Sequence, residues 1–255
     1  MTAKRRDLLI LGGVVALIYG IRALPWDWLP GRGPRYVEIK GLPQFRQLED
    51  IGPTSGATVA LIGLDPPSED AALRRARVEE VRADLCGALF GAASSAGTVP
   101  IAYFSEFQCP YCRALERDLD VLLADEPNSV RLVQHELPIF GPASELAARA
   151  SVAAARQGKQ QALRRRFMRM PIVADERSVR SVAADVGLDG DQLVRDMASP
   201  EVQAELDRTR ALADLFGFIG TPGLVVGRTV LNGALPYALL RRIVKDESTM
   251  PEPVC

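Results

Sequence analysis

A chain of 255 residues, 47% hydrophobic and 25% charged, is long enough for one globular domain with a substantial core, or for one domain carrying a large insertion. Its formal net charge of −1 gives no sign of the concentrated basic surface that nucleic-acid binding requires. Four cysteines are too few for a disulfide-stapled scaffold of this length. With one close cysteine pair and a single histidine, the chain also lacks the usual pattern of a four-ligand zinc site.

The N-terminal residues 1–29 combine a basic cluster with an apolar run. Residues 4–6 are Lys-Arg-Arg, and residues 8–21 are almost entirely apolar, as in the charged and apolar regions of an export signal. No clean cleavage motif of small residues follows. We therefore predict an uncleaved signal anchor that exports the rest of the chain, with a cleaved signal peptide as the first alternative and a buried cytosolic helix as the second.

Residues 30–67 are rich in glycine and proline and predict an irregular spacer. A helix is expected to begin after Ser68, which suits the N-cap position. The apolar run from Val99 to Phe104 then predicts a buried strand, because its proline stands at the strand start. A helix over residues 113–124 and a second strand over residues 130–134 follow.

The second half of the chain is helical in pattern and ends in a hairpin. Residues 144–216 read as several short packed helices separated by glycine and proline. Residues 220–233 predict a β-hairpin, with two β-branched runs around Gly227. A closing helix is expected over residues 237–245.

Cys109 and Cys112 form a C-x-x-C at the junction of the predicted strand and helix. The first sulfur would lie at the helix N-terminus, where free N–H groups and the helix dipole stabilise a thiolate. The second would lie one turn deeper and could attack a mixed disulfide. Pro110 suits the first helical position because it has no N–H group to leave unpaired. The alternatives are that the two cysteines are half of a metal site or that they are ordinary core residues. Neither alternative explains why the pair stands between a predicted strand and a predicted helix.

Residues 104–112, Phe-Ser-Glu-Phe-Gln-Cys-Pro-Tyr-Cys, resemble the active-site segment of DsbA-like oxidoreductases of the thioredoxin superfamily. Gly220-Thr221-Pro222, with the Val-Val-Gly hairpin that follows, resembles their cis-proline loop. The 110 positions from Cys112 to Pro222 exceed the needs of a bare thioredoxin fold, and DsbA-like proteins carry a helical insertion there. Glutaredoxins share Cys-Pro-Tyr-Cys but are far smaller and lack the insertion.

The resemblance implies an α/β, thioredoxin-like fold with an inserted helical domain, preceded by the N-terminal anchor or signal segment. Residues 68–143 and 217–255 would form the two parts of the thioredoxin-like domain, and residues 144–216 the insertion. It implies further that Cys109 is the exposed nucleophile and Cys112 its buried resolving partner. No cofactor besides this redox-active cysteine pair is implied, and no metal.

The resemblance also assigns a substrate-binding loop. Pro222 would follow a cis peptide bond and face the disulfide, and Thr221 would offer backbone contacts to an extended substrate peptide. An ordinary trans turn at this position is the alternative.

One feature departs from the family. Relatives often place a buried carboxylate six positions before the first cysteine, where this sequence has Tyr103. Glu106 is the nearest acid, and either substitutes in part or is a solvated loop residue. The other candidate modulators of the site are Pro110, Tyr111 and His135, although His135 also fits a structural or surface role.

Cys86 and Cys255 remain outside the motif. They either form a second disulfide or remain a buried thiol and a free terminal thiol, and geometry decides between these.

The function implied is formation of disulfides in exported proteins, by an enzyme of the periplasm or another extracytoplasmic space, anchored in the inner membrane. Its partners would be cysteine-containing exported proteins and a membrane redox partner that recycles it. The alternatives are a reductase or isomerase of the same fold, kept reduced by a membrane donor, and a membrane-anchored binding or chaperone module with structural cysteines. The reduction potential of the cysteine pair distinguishes an oxidase from a reductase, since strong oxidases have potentials of about −120 mV and thioredoxin has a potential of about −270 mV.

Overall fold

The structure, a computed structural model, describes residues 33–50, 52–56, 69–91 and 97–250. The predicted signal anchor, residues 1–29, lies outside the described residues. Within the described ranges, no helix is both long enough and apolar enough to cross a membrane.

Six strands form one mixed sheet in the order β1-β2-β6-β5-β3-β4. The strands are β1 (Tyr36–Ile39), β2 (Leu42–Leu48), β3 (Val99–Ser105), β4 (Val130–Glu136), β5 (Gly223–Val226) and β6 (Thr229–Asn232). β3 pairs in parallel with β4 and antiparallel with β5, and every one of its seven residues is buried. A strand buried on both faces has no polar side to alternate, which is why β3 reads as a continuous apolar run in the sequence.

Nine α-helices lie in the described part of the chain, and one short 3-10 turn (Ala155–Gln157) follows the fourth of them. They are α1 (Glu69–Ala83), α2 (Leu85–Phe90), α3 (Pro110–Asp125), α4 (Pro142–Ala154), α5 (Gln160–Phe167), α6 (Glu176–Asp185), α7 (Gly190–Met197), α8 (Pro200–Phe216) and α9 (Tyr237–Ser248). Helices α4 to α8 fall between β4 and β5, in the stretch for which the sequence predicted short packed helices.

The interpretation of residues 30–67 as an irregular spacer is wrong for residues 36–48. These residues form β1 and β2, and β2 adds in parallel to β6 through Arg46 and Gln47. The apolar residues that β2 buries, Leu42, Phe45 and Leu48, recur every third position. Because a half-buried strand normally alternates at every second position, this spacing hides the strand from a periodicity argument.

Two apolar clusters cover the two faces of the sheet. Neighbouring residues of β3 point to opposite faces, because side chains alternate along a strand. Phe104 packs on the face covered by α1, α2 and α8, while Tyr103 packs on the face covered by α3 and α9. A third cluster lies among α4 to α8, and Phe107, from the loop that leads to Cys109, belongs to it. The helical segment therefore packs directly against the candidate active-site loop.

Candidate active site

Cys109 lies where the loop after β3 meets the start of α3. It is the N-cap of α3, and its sulfur accepts the backbone N–H of Cys112 at 3.1 Å. Pro110 occupies the first turn, where no N–H is needed. The sulfur thus lies at the positive end of a 16-residue helix, as the sequence predicts for a stabilised thiolate.

The two thiols are free and have opposite electrostatic environments. A hydrogen bond from the Cys112 thiol is the main cause that lowers the pKa of Cys109 to about 6, and it outweighs the effect of burial. The side chains of Ser55 and Thr221 lower that pKa further. Burial raises the pKa of Cys112 well above its usual range, and interaction with Cys109 adds to the effect. At neutral pH the first sulfur is therefore a thiolate and the second a thiol.

This asymmetry predicts the pH profile of the reduced protein. Alkylation of Cys109 by iodoacetamide should reach half its maximal rate near pH 6, because only the thiolate reacts, while Cys112 should stay unreactive to well above pH 8. A depressed thiol pKa stabilises the folded reduced state above the unfolded value of about 8.5, and that stabilisation is lost as pH falls through about 6. The oxidised protein has no such thiol and serves as the control in pH-dependent unfolding. A profile centred near 8.5 would contradict the assignment.

The prediction that Cys109 is exposed is wrong in this structure, where its exposed fraction is 0%. The sulfur lies 3.4 Å from the carbonyl oxygen of Thr221, to which its thiol can donate. Ser55, from the segment after β2, is bonded to the backbone of the same Thr221 and lowers the pKa of the Cys109 sulfur. Part of the segment predicted to be a spacer therefore lies beside the candidate active site.

The Thr221–Pro222 peptide bond is cis. Both backbone groups of Thr221 are already bonded within the chain. The N–H of Ser55 donates to the Thr221 oxygen at 2.8 Å, and the Thr221 N–H donates to the Ser55 oxygen at 2.9 Å. The edge that the resemblance assigns to a substrate peptide is therefore paired with residue 55.

Glu106 is buried rather than solvated. Its two carboxylate oxygens accept the backbone N–H groups of Gln108 at 3.0 Å and Ile139 at 2.9 Å. Burial raises the pKa of Glu106, and these two hydrogen bonds oppose the rise. The carboxylate therefore holds the loop before Cys109 against the loop after β4.

Tyr103 replaces the family's carboxylate with a buried phenol. Its hydroxyl donates to the carbonyl oxygen of Cys112 at 2.9 Å, which ties β3 to the first turn of α3. Burial raises the pKa of Tyr103 well above its usual range, so the phenol stays neutral.

The remaining candidate modulators have simpler surroundings. His135 is buried, stacks on Phe104 with 4.6 Å between ring centroids, and bonds through Nε2 to the Leu89 carbonyl oxygen at 2.8 Å. Burial lowers its pKa, so the ring is neutral and has the contacts of a core residue. Pro110 is exposed beside Cys109, and Tyr111 is 39% exposed. Of these three residues, Pro110 and Tyr111 are therefore the ones an incoming protein could touch.

Cys86 is disulfide-bonded and does not titrate, whereas Cys255, its partner in one of the two alternatives left open by the sequence, lies outside the described residues. Over the described ranges, no cluster of three or more His, Cys, Asp or Glu side chains could hold a metal ion.

Sequence reasoning missed a buried ionic network behind the active-site loop. Arg164 of α5 is fully buried and bonds Glu136 at 2.5 Å and Glu116 at 2.9 Å. It also donates to the Ser105 hydroxyl at 2.7 Å, at the end of β3. Burial lowers the pKa of Arg164, but the two carboxylates raise it more, so the guanidinium stays charged. Glu116, one turn after Cys112 on an otherwise apolar helix face, was the one local signal of this network.

The comparisons with known proteins agree with this geometry. The family model for the DSBA-like thioredoxin domain matches residues 100–245. A thioredoxin-like oxidoreductase from Silicibacter pomeroyi is 37% identical, with a TM-score of 0.60, over 65% of this chain and 98% of that structure. The thiol-disulfide exchange protein alpha-DsbA2 from Wolbachia pipientis shares 18% identity and the fold, with a TM-score of 0.58 over 71% of this chain and 99% of that one.

A curated relative matches this chain over only part of its own length. The Na(+)/H(+) antiporter NhaA of Herminiimonas arsenicoxydans is 33% identical over 132 residues, which are 51% of this chain and 21% of the antiporter. The match thus spans about a fifth of that relative's length. Because the family model covers more than half of this chain, the chain belongs to the DSBA-like thioredoxin domain family and, with its paired thiols, to the thiol–disulfide oxidoreductases.

Proposed function

We propose that the protein forms disulfides in exported proteins by dithiol–disulfide exchange through Cys109 and Cys112. The observation that carries this proposal is the contrast between the two thiols, with the pKa of Cys109 lowered to about 6 and that of Cys112 raised. A thiolate of low pKa is a good leaving group, and its stabilisation favours the reduced form of the protein. A protein whose reduced form is favoured oxidises its substrates.

The exchange proceeds in two substitutions at sulfur. A substrate thiolate attacks the Cys109 sulfur of the oxidised protein, and Cys112 leaves and takes up a proton. The second substrate thiolate then attacks the substrate sulfur of the mixed disulfide, and Cys109 leaves as a thiolate. Two electrons pass to the protein, and the substrate gains one disulfide. A membrane redox partner would take these electrons back and restore the Cys109–Cys112 disulfide.

The surroundings of the cysteines match these roles. The leaving Cys109 thiolate is met by the N–H of Cys112 at the start of α3. Both cysteines are buried in this structure, but Cys109 lies beside the cis-proline loop at the helix N-cap whereas Cys112 lies within α3, so a substrate paired with that loop would meet Cys109 first. Beside the cis-proline loop lies a cavity of about 540 Å³, lined in part by Leu137, Ile139 and Phe218, which could hold apolar side chains of a substrate.

The extracytoplasmic location belongs to the same proposal. It rests on the basic and apolar pattern of residues 1–29 and on a structural relative described as a periplasmic thioredoxin-like protein from Salmonella enterica serovar Typhimurium. Anchoring in the inner membrane rests on the sequence pattern alone. Fractionation of cells that make the full chain tests both, since a cytosolic product would refute export.

The reduction potential of the Cys109–Cys112 couple tests the direction of the reaction. We expect equilibration with a glutathione buffer to give a value on the order of −120 mV, since the Cys109 thiolate stabilises the reduced state. A value of about −270 mV would instead assign the protein to the reductants. Failure of Cys109 to exchange at all would leave a binding module with structural cysteines.

A further inference from the structure

Residues 52–56, here called the strap, cross the candidate active site immediately after the β1–β2 hairpin. Ser55 and Thr221 form an antiparallel bridge with two backbone hydrogen bonds of 2.8 and 2.9 Å. The Thr54 hydroxyl donates to the same Thr221 oxygen at 3.0 Å. The strap therefore behaves as one more short strand, added at the residue before the cis proline.

The strap is also fixed on its far side. The N–H of Gly52 donates to the Asn232 oxygen at 2.8 Å, and the N–H of Ala234 donates to the Pro53 oxygen at 2.9 Å. Gly52 approaches so closely that a Cβ there would lie 1.9 Å from the Ala234 oxygen. Likewise, a Cβ at Gly220 would lie 2.1 Å from the Ser55 oxygen. The absence of side chains at these two positions permits the contact.

We infer that the strap is an autoinhibitory element: it occupies the backbone edge of Thr221 to which an extended cysteine-containing peptide would pair, and it must detach before such a peptide reaches Cys109. This inference rests on the proposed function. A single N–H and a single carbonyl of Thr221 face this edge, and both are taken by Ser55. The complete burial of the Cys109 sulfur is consistent with a site that is closed in this state.

Because the strap closes the site, the rate of mixed-disulfide formation depends on the fraction of molecules whose strap is detached. The apparent affinity for a peptide falls by the fraction of protein whose strap is detached, as for any ligand that binds a minor conformation. A substrate that supplies its own two backbone bonds to Thr221 replaces those that the strap gives up. An extended segment is therefore favoured over a folded one or a small thiol, neither of which can make this replacement.

A matched pair of substitutions at Ser55 tests the strap. Ser55→Pro removes the N–H that bonds the Thr221 oxygen, whereas Ser55→Ala keeps the backbone bridge and removes the hydroxyl alone. The probe is an unstructured peptide with one cysteine, which attacks Cys109 of the oxidised full-length protein and displaces Cys112. Both variants lose the Ser55 hydroxyl, so the difference between them reports the backbone bridge alone, and we expect Ser55→Pro to form the mixed disulfide roughly ten-fold faster than Ser55→Ala.

A second variant that introduces no proline, and a second measurement, test the same inference. Gly52→Ala should also accelerate the reaction, because its Cβ cannot be accommodated beside Ala234. The rate at which iodoacetamide alkylates reduced Cys109 at pH 8, where Cys109 is ionised, should likewise be higher in Ser55→Pro and Gly52→Ala than in Ser55→Ala. Wild-type rates for both Ser55→Pro and Gly52→Ala would overturn the inference.

Failure of the proposed function would look different. If the strap variants react faster while the couple has the potential of a reductant, the strap stands and the oxidase role falls. If the couple is oxidising while all variants react alike, the oxidase role stands and the strap falls.

Discussion

Cys112→Ser is expected to stop turnover and to accumulate mixed disulfides between Cys109 and substrate proteins. Without Cys112 the protein cannot form the disulfide with which it oxidises substrates. Cys109 remains at the helix N-terminus with its backbone hydrogen bond and can still attack a substrate disulfide, and the resulting adduct persists because the buried Cys112 thiol that would attack it is gone. The loss of turnover should be complete within detection. Non-reducing electrophoresis and mass spectrometry of the adducts give the measurement, and Cys109→Ser should abolish both trapping and turnover.

Cys112→Ala provides a matched control for the electrostatics. The Cys112 thiol donates the hydrogen bond that lowers the pKa of Cys109 most, and serine keeps an O–H donor in that position whereas alanine does not. Both variants should trap adducts, yet the alkylation profile of Cys109 should move to higher pH in the alanine variant alone. Equal profiles in the two variants would show that the Cys112 side chain does not stabilise the thiolate.

Arg164→Met is expected to destabilise the protein by about 3–5 kcal/mol, because it leaves two buried carboxylates without their cation. The guanidinium bonds Glu116, Glu136 and the Ser105 hydroxyl, and its exposed surface is nil. Equilibrium denaturation in urea measures the loss. The same substitution should loosen the loop before Cys109, since the guanidinium carbon lies 5.4 Å from the centre of the Phe107 ring.

The triple variant Arg164→Met, Glu116→Gln, Glu136→Gln separates lost packing from unpaired charge. With no charge left in the network, we expect it to regain a large part of the lost stability, since replacing a whole buried ionic group costs far less than breaking it. A triple variant as unstable as Arg164→Met would mean that the charge imbalance is not the cause.

The sequence predicted the parts of the site that depend on local chemistry. Cys109 and Cys112 are placed by a strand, a proline and a helix within a dozen residues, and each of these has its own sequence signal. The cis-proline loop was predicted through the family resemblance. Burial of Cys109 was not predicted, because the sulfur packs beside Thr221, which is 112 positions away along the chain.

Two other features were hidden for distinct physical reasons. β2 lies near the sheet edge, and its polar residues and three-residue spacing of buried side chains gave no strand period. Arg164 stands in a run of three arginines whose other members remain hydrated or form exposed pairs. Such a run normally marks a solvated helix face, so the one buried member could be found only from its carboxylate partners.

The helices between β4 and β5 also bear on the order in which this chain can assemble. β5 must pair with β3, and the intervening chain would cost considerable loop-closure entropy if it were unstructured. Helices α4 to α8 share an apolar cluster whose buried residues, apart from Phe107, all lie within residues 147–202. Once these helices have packed together, a compact body joins the end of β4 to the start of β5 in place of a long flexible loop. Fewer chain conformations then have to be sampled before β5 pairs with β3, which is the slow, non-local step in forming the sheet.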